Sequence, residues 1–336
     1  MVRLAFAAAL LSAAMLGGCV ANLNPAGPPQ TEPALSADAI HTADGLDLPL
    51  RVWSPPDRAP RAVVLALHGM NDYSNAFATV GPALAAHGIV TYAFDQRGFG
   101  RGPHPGQWSD KSAMAADALA AARLLAATHP GLPLFLLGES MGGAVVIEAL
   151  TMAPPPPAIA GAILSAPAVW GRDSMGPVQR FALWLTNALV PGLTLTGRGL
   201  EIQPSDNIEM LRALSRDPLV IKETRVDAIH GLVDLMDAAQ ADIARLPVAT
   251  LVLYGEKDQV IPADPLWDAV ATLPRRESDQ RAALYPEGWH MLLRDLQAAR
   301  VIDDIAAWTA DPAAALPSGA DSLALAKSSE RAAKTR

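Results

Sequence analysis

The chain has 336 residues, 51% of them hydrophobic and 18% charged, and a formal net charge of −8. That size and apolar content suffice for one large α/β domain, or two smaller ones, with a substantial core. The acidic balance and the lack of a basic stretch interleaved with aromatics argue against nucleic acid as a partner. The same charge gives no attraction to anionic lipid head groups.

Residues 1–19 begin with one positive charge at Arg3, continue as a short Ala/Leu run and end in Leu16, Gly17, Gly18 and Cys19. This pattern predicts a secretory signal peptide, and its apolar part is shorter than the roughly 20 residues a membrane-spanning helix needs. The Leu-Gly-Gly-Cys ending resembles the bacterial lipobox, in which the cysteine becomes the acylated first residue of the mature chain. Cys19 is the sole cysteine, which suits lipidation better than a disulfide, redox or metal role. The expectation is a lipid-anchored protein of the cell envelope. In a bacterium with two membranes the outer one is favoured, since Val20 is not the aspartate of an inner-membrane retention signal. Residues 20–38 are Pro-rich and without core-forming periodicity, and they read as a linker.

From 39 to 309, apolar strand patterns alternate with helical ones, which predicts a mostly parallel central sheet with helices on both faces. Strands are expected near 62–67, 89–94, 133–137, 160–165, 249–254 and 282–286. Helices are expected at 75–87, 110–128, 142–152, 263–272 and 292–309. The connection between the strands at 160–165 and 249–254 is about 80 residues long, too long for a structureless loop in a compact domain. Its helical stretches at 178–189, 207–214 and 226–239, the first closed by Pro191 and Gly192, predict an inserted helical cap over about 168–245. Trp170, Phe181, Trp184, Leu185, Leu189 and Val190 are expected to form its apolar underside. The Ala/Ser-rich tail at 310–336 reads as disordered.

The chemistry is concentrated at strand ends. Gly138, Glu139, Ser140, Met141 and Gly142 stand between an apolar strand and a helix, and this G-x-S-x-G pattern puts a serine on a sharp turn. Glycines on either side let strand and helix approach without a clashing Cβ. A serine nucleophile needs a base and a group to orient it. Asp258 follows the strand 249–254 and His290 follows the strand 282–286, so both fall on the edge where Ser140 lies, in the order Ser, Asp, His. The loop His68, Gly69, Met70, Asn71 and Asp72 follows the strand 62–67. It offers the Met70 N–H beside that of Met141 as an oxyanion hole. His68 is read as holding that loop by hydrogen bonds, and Asp95 and Arg97 as a structural pair in a glycine-shaped loop. No residues have metal-ligand spacing and no glycine loop cradles a phosphate, so neither a metal nor a cofactor is expected.

These blocks, with Asp44-Gly45, Phe94 through Gly102, and Gly255 through Asp258 with Val260-Ile261-Pro262, resemble the α/β-hydrolase superfamily over roughly 41–308. Within it the chain is similar to the monoacylglycerol lipase and lysophospholipase branch, close to the serine aminopeptidase-like hydrolases. The resemblance implies Ser140 as nucleophile, Asp258 as acid, His290 as base, and Met70 and Met141 as oxyanion donors. It also implies a small lipid or ester as substrate. The same fold and triad serve aminopeptidases, for which Glu201, Asp206, Glu209 and Glu223 could supply an acidic pocket, and haloperoxidase or perhydrolase chemistry. A non-catalytic binding lipoprotein on a hydrolase scaffold is the alternative from another class.

Overall fold

The computed structural model describes residues 21–152, 159–197, 199–274 and 280–334. Cys19 and the signal segment lie outside the described residues. Strands β1 (Ala34–Leu35), β2 (Ala39–His41) and β3 (Asp47–Trp53) lead into β4 (Ala62–Leu67), α1 (Val80–Ala86) and β5 (Ile89–Phe94). Next come α2 (Lys111–Thr128), β6 (Leu134–Glu139), α3 (Met141–Thr151) and β7 (Gly161–Ser165). The nine-stranded sheet has the order β1-β2-β3-β5-β4-β6-β7, then β10 (Ala249–Gly255) and β11 (Gln280–Tyr285). The strands from β5 to β11 are parallel, and β1, β2 and β3 join antiparallel. This is the mostly parallel sheet expected, with helices on both faces.

Each central strand is apolar along most of its length because both of its faces are covered. Val63, Leu65 and Leu67 of β4 point to one side, where they join a cluster with α2 and α3. Val64 and Ala66 point to the other, joining α1 and a C-terminal helix at 298–308. The chain leaves β4 for β5 on one flank and returns through α2 to β6 on the other. The order therefore reverses between β4 and β6, and ligands of open α/β sheets bind at such a switch, beyond the strands' carboxyl ends.

The long connection after β7 folds as α4 (Pro177–Leu189), a two-residue ribbon of β8 (Thr194–Leu195) with β9 (Thr224–Arg225), α5 (Ile208–Arg216) and α6 (Val226–Asp242). Its three helices match the expected stretches, but they divide differently. Helix α6 buries Val226, Ala228, Val233, Leu235, Met236 and Ala239 and belongs to the main core. Helix α4 buries nothing: Phe181 and Trp184 are 58% and 59% exposed, and Leu189 and Val190 are exposed as well. Only Trp170 of the expected underside packs against the core. The apolar face of α4 is thus open, because its one-sided pattern meets no opposing layer.

Both chain ends differ from expectation. Residues 21–33, read as a free linker, lie along the domain. Asn22 N–H donates to Asp227, Asn24 N–H to Trp108 O, Gly27 N–H to Asp44, and Gln30 and Thr31 N–H to Ala43 O. Prolines remove only some donors from an extended segment, and the remaining N–H groups find partners. After α7 (Ala263–Thr272) and α8 (Ala298–Trp308), the tail read as disordered forms α9 (Ala320–Lys334) beside β11. Ala320 and Ala324, four apart, are buried, Asp321 pairs with Arg281, and Arg331 pairs with Asp264 and Asp268. An Ala-rich composition that reads as low in core-forming residues has high helix propensity once a surface is available to cover.

Trp308 closes the lower layer, fully buried and edge-on to Phe135 with ring centroids 5.7 Å apart. Trp308→Ala is expected to remove about 3–5 kcal/mol of stability. The measurement is the urea midpoint, which should fall with little change in the slope of the transition.

Candidate active site

Ser140 has φ 54° and ψ −116°, a left-handed conformation unusual for a residue with a side chain and worth about 1–3 kcal/mol of strain. The turn is held from several directions. Ser140 N–H donates to Ser165 O at 2.9 Å, and Ser140 O accepts from Gly143 N and Ala168 N at 2.9 and 3.0 Å. Glycines make the close approach possible. A Cβ on Gly142 would stand 2.1 Å from Leu67 O, and one on Gly138 would stand 2.4 Å from the Gly142 carbonyl carbon. Strand β4, strand β6 and helix α3 therefore meet backbone to backbone under the serine.

The loop after β4 passes against that turn. A Cβ on Gly69 would lie 3.4 Å from Ser140 Cβ and 3.9 Å from its Oγ, so the residue before Met70 packs against the Ser140 side chain. Asn71, at φ 67°, reverses the chain immediately afterwards. Met141 is the first residue of α3, where N–H groups lack intrahelical partners and the helix dipole favours negative charge. His68 is fully buried. It accepts from Gln96 N at Nε2 (3.0 Å), so Nδ1–H donates to Gly69 O (2.9 Å). Both nitrogens are used by a neutral ring, and burial lowers its pKa.

Asp258 and His290 meet on the far side. His290 Nδ1 is 2.9 Å from Asp258 Oδ2, while Asp258 Oδ1 accepts from Val260 N and Ile261 N at 2.7 and 2.9 Å. The carboxylate is completely buried and the imidazole nearly so. With Nδ1–H committed to Asp258, Nε2 is the basic nitrogen. The two loops interlock through glycines, since a Cβ on Gly255 would stand 2.4 Å from the Gly288 carbonyl carbon, and Lys257 N–H donates to Gly288 O at 2.9 Å.

Residues not anticipated from the sequence join the halves. Arg294, four positions after His290, is buried and donates through Nη1 to Asp72 (2.7 Å) and through Nη2 to Glu139 (2.6 Å). Asp72 belongs to the loop of Met70 and Glu139 immediately precedes Ser140. Next to it, Asp295 accepts from Trp289 N (2.8 Å) and from the cap's Ser205 Oγ (2.6 Å). Burial raises its pKa to about 6.

The other candidates lie elsewhere. Asp95 does not pair with Arg97; it accepts from Ser74 N and Arg101 N at 2.9 and 2.8 Å. Arg97 instead grips Asp44 and Asp117, holding the Asp44 carboxyl well below the usual range. Glu256 pairs with Lys327 and Asp264 with Arg331, so neither competes with Asp258 for His290. Of the cap acids, Asp206 accepts from Leu296 N, Glu209 pairs with Arg212, and Glu223 accepts from Thr194. No group of three or more His, Cys, Asp or Glu among the described residues could hold a metal.

The profile of the serine aminopeptidase S33 family matches residues 58–297, a span that contains all three candidate triad positions. The chain belongs to this family. It is 30% identical over 279 residues to a monoacylglycerol lipase of Mycolicibacterium smegmatis, covering 79% of this chain and 93% of that one. It is 26% identical over 271 residues to human monoglyceride lipase, covering 80% and 88%. Among solved structures, a soluble variant of Saccharomyces cerevisiae monoglyceride lipase with a substrate analog superposes with a TM-score of 0.69 at 20% identity, covering 85% and 96%. The monoacylglycerol lipase of Paleococcus ferrophilus superposes at 0.63 and 21%, covering 79% and 99%. The fold of this S33 member is therefore that of the α/β-hydrolases.

Two expectations follow. Asp258→Asn keeps the packing but permits the wrong imidazole tautomer, so kcat for whichever ester is turned over should fall about 10³–10⁴-fold. Asp295 holds its proton more tightly folded than unfolded. Its contribution to stability is therefore full below about pH 4 and lost as pH rises through about 6. The stability of wild type relative to Asp295→Asn should decline over that window in urea titrations at stepped pH.

Proposed function

We propose that the protein is a serine hydrolase that cleaves carboxylic esters of lipid-like substrates, of the monoacylglycerol or lysophospholipid type. The carrying observation is the strained turn at Ser140 with the oxyanion loop packed against it and a buried Asp258–His290 pair on the same sheet edge. Ser140 Oγ attacks the acyl carbonyl as His290 Nε2 takes its proton, and Asp258 stabilises the resulting imidazolium. The Met70 and Met141 N–H groups receive the oxyanion, each donor worth roughly 3–4 kcal/mol of barrier. His290 returns the proton to the leaving alcohol, and water, deprotonated by the same imidazole, releases the acid and regenerates Ser140.

An ester of a greasy acid is supported by two things. Relatives named for monoacylglycerol hydrolysis span most of the chain, and the cap presents exposed apolar side chains, Phe181, Trp184, Leu185 and Leu189 among them. An aminopeptidase would need a free carboxylate to receive the substrate's ammonium. The hydrogen bonds and ion pairs of Asp206, Glu209 and Glu223 count against that reading for those three, which leaves the exposed Glu201 as its one candidate among the four cap acids. For location, the proposal is a lipid anchor on Cys19 after removal of residues 1–18, holding the hydrolase at the cell envelope.

A fluorophosphonate probe should label the purified protein and not Ser140→Ala. Hydrolysis of p-nitrophenyl esters, compared from acetate to palmitate, should be lost in the same variant. Absence of labelling and turnover in the wild type would favour a binding scaffold, and preference for aminoacyl amides a peptidase. In cells, Cys19→Ala should move the protein from the membrane to the soluble fraction, with loss of incorporated palmitate.

A further inference from the structure

Four loops supply the candidate chemistry, and one guanidinium joins three of them, the His290 segment that carries it and those of Asp72 and Glu139. Arg294 lies one helical turn past His290, its own N–H donating to Met291 O at 2.8 Å. Its two terminal nitrogens go to different loops, Nη1 to Asp72 Oδ2 at 2.7 Å and Nη2 to Glu139 Oε1 at 2.6 Å. Asp72 is two residues beyond Met70, and its N–H closes the oxyanion turn onto Gly69 O. Glu139 is the last residue of β6 and fixes the entry to Ser140. All three side chains are at most 7% exposed.

We infer that Arg294 is a positioning residue that sets the spacing of base, nucleophile and oxyanion donors through its fork to Asp72 and Glu139. The inference rests on the serine hydrolase reading above. Two features separate this from ordinary core filling. A hydrophobic residue of similar volume would fill the space, yet the chain buries one cation against two anions, an arrangement whose desolvation rarely favours stability. The fork also ties the His290 segment to partners 155 and 222 residues away in sequence. Lysine would keep the charge but offers one compact ammonium without fork geometry, so it can satisfy one loop well and not both. A misplacement of about 1 Å between reacting groups costs on the order of 100-fold in rate.

The experiment compares wild type, Arg294→Lys, Glu139→Gln and Asp72→Asn, with Ser140→Ala as the blank. Each is assayed for melting temperature, kcat and KM on p-nitrophenyl butyrate, and the rate constant of fluorophosphonate labelling. Arg294→Lys should lower kcat and the labelling rate together by about 10–100-fold, with KM within about threefold. Glu139→Gln and Asp72→Asn keep the side-chain shape and a carbonyl acceptor, and should lose less, about three- to tenfold, in the same two readouts. If Arg294→Lys does not fold, these two variants still carry the test through the kcat-to-KM split. Wild-type kcat and labelling in the folded variants, with only the melting temperature lowered, would overturn the inference and leave Arg294 a structural ion. Failure of the hydrolase reading itself would look different, because the wild type would then neither label nor turn over.

Discussion

The constraint on which the site depends is backbone contact. Strand β4, strand β6 and helix α3 come together under Ser140 at distances that no Cβ could share, with Gly142 against Leu67 O and Gly138 against Gly142. That contact fixes the direction of the first turn of α3 and so the Met141 amide. It also holds Ser140 in a conformation it would not choose, and brings Gly69 of the next loop against the serine side chain. A second glycine contact, Gly255 on Gly288, does the same for the loops of Asp258 and His290. Everything polar in the site is arranged around these two close approaches, where backbone replaces side chain as packing material.

Much of this was legible because it is local or periodic. Apolar runs of five to seven residues gave the parallel strands, the G-x-S-x-G turn lies wholly within eleven consecutive residues of strand and helix, and Pro191-Gly192 stands just past the end of α4. The Arg294 fork was not legible, since its partners are separated by more than 150 positions and no local pattern states that an arginine after a histidine will be buried. Arg97 failed the same way: its neighbour Asp95 was the obvious partner by sequence, and the fold gave it Asp44 and Asp117 instead. The chain ends were misread because their compositions match those of free segments, whereas what orders them is supplied elsewhere in the fold, by Asp44, Trp108 and Asp227 for the first and by β11 and α7 for the second.

The cap turns out to be two things. Its hem is stitched to the loops of the candidate site on both sides. Asn71 donates to Thr224 Oγ1 at 2.7 Å and Tyr73 OH to Asp217 at 2.6 Å, while Met291 N–H donates to Pro204 O and Ser205 Oγ donates to Asp295. Its outer limb around α4 carries the large apolar side chains and buries none of them. Stability is distributed accordingly, high where hydrogen bonds converge on the site and low where a helix rests on few apolar contacts. A substrate that covers the α4 face would recover hydrophobic surface that the protein alone leaves wet.

The ends of the chain also close the ends of the sheet. On one side the short β1 and β2 continue it and stop after a few residues; on the other, α9 lies beside β11 and ties itself down through Asp321 and Arg331. An uncovered parallel edge strand is a template for another molecule's strand. The terminal segments therefore serve as guards against self-association as much as parts of the core. A protein trimmed to its family-matched span, 58–297, would lose the cover at β11 together with β1 to β3 and with Val301, Ile305 and Trp308 of the core, so it would fail in folding before it could fail in chemistry.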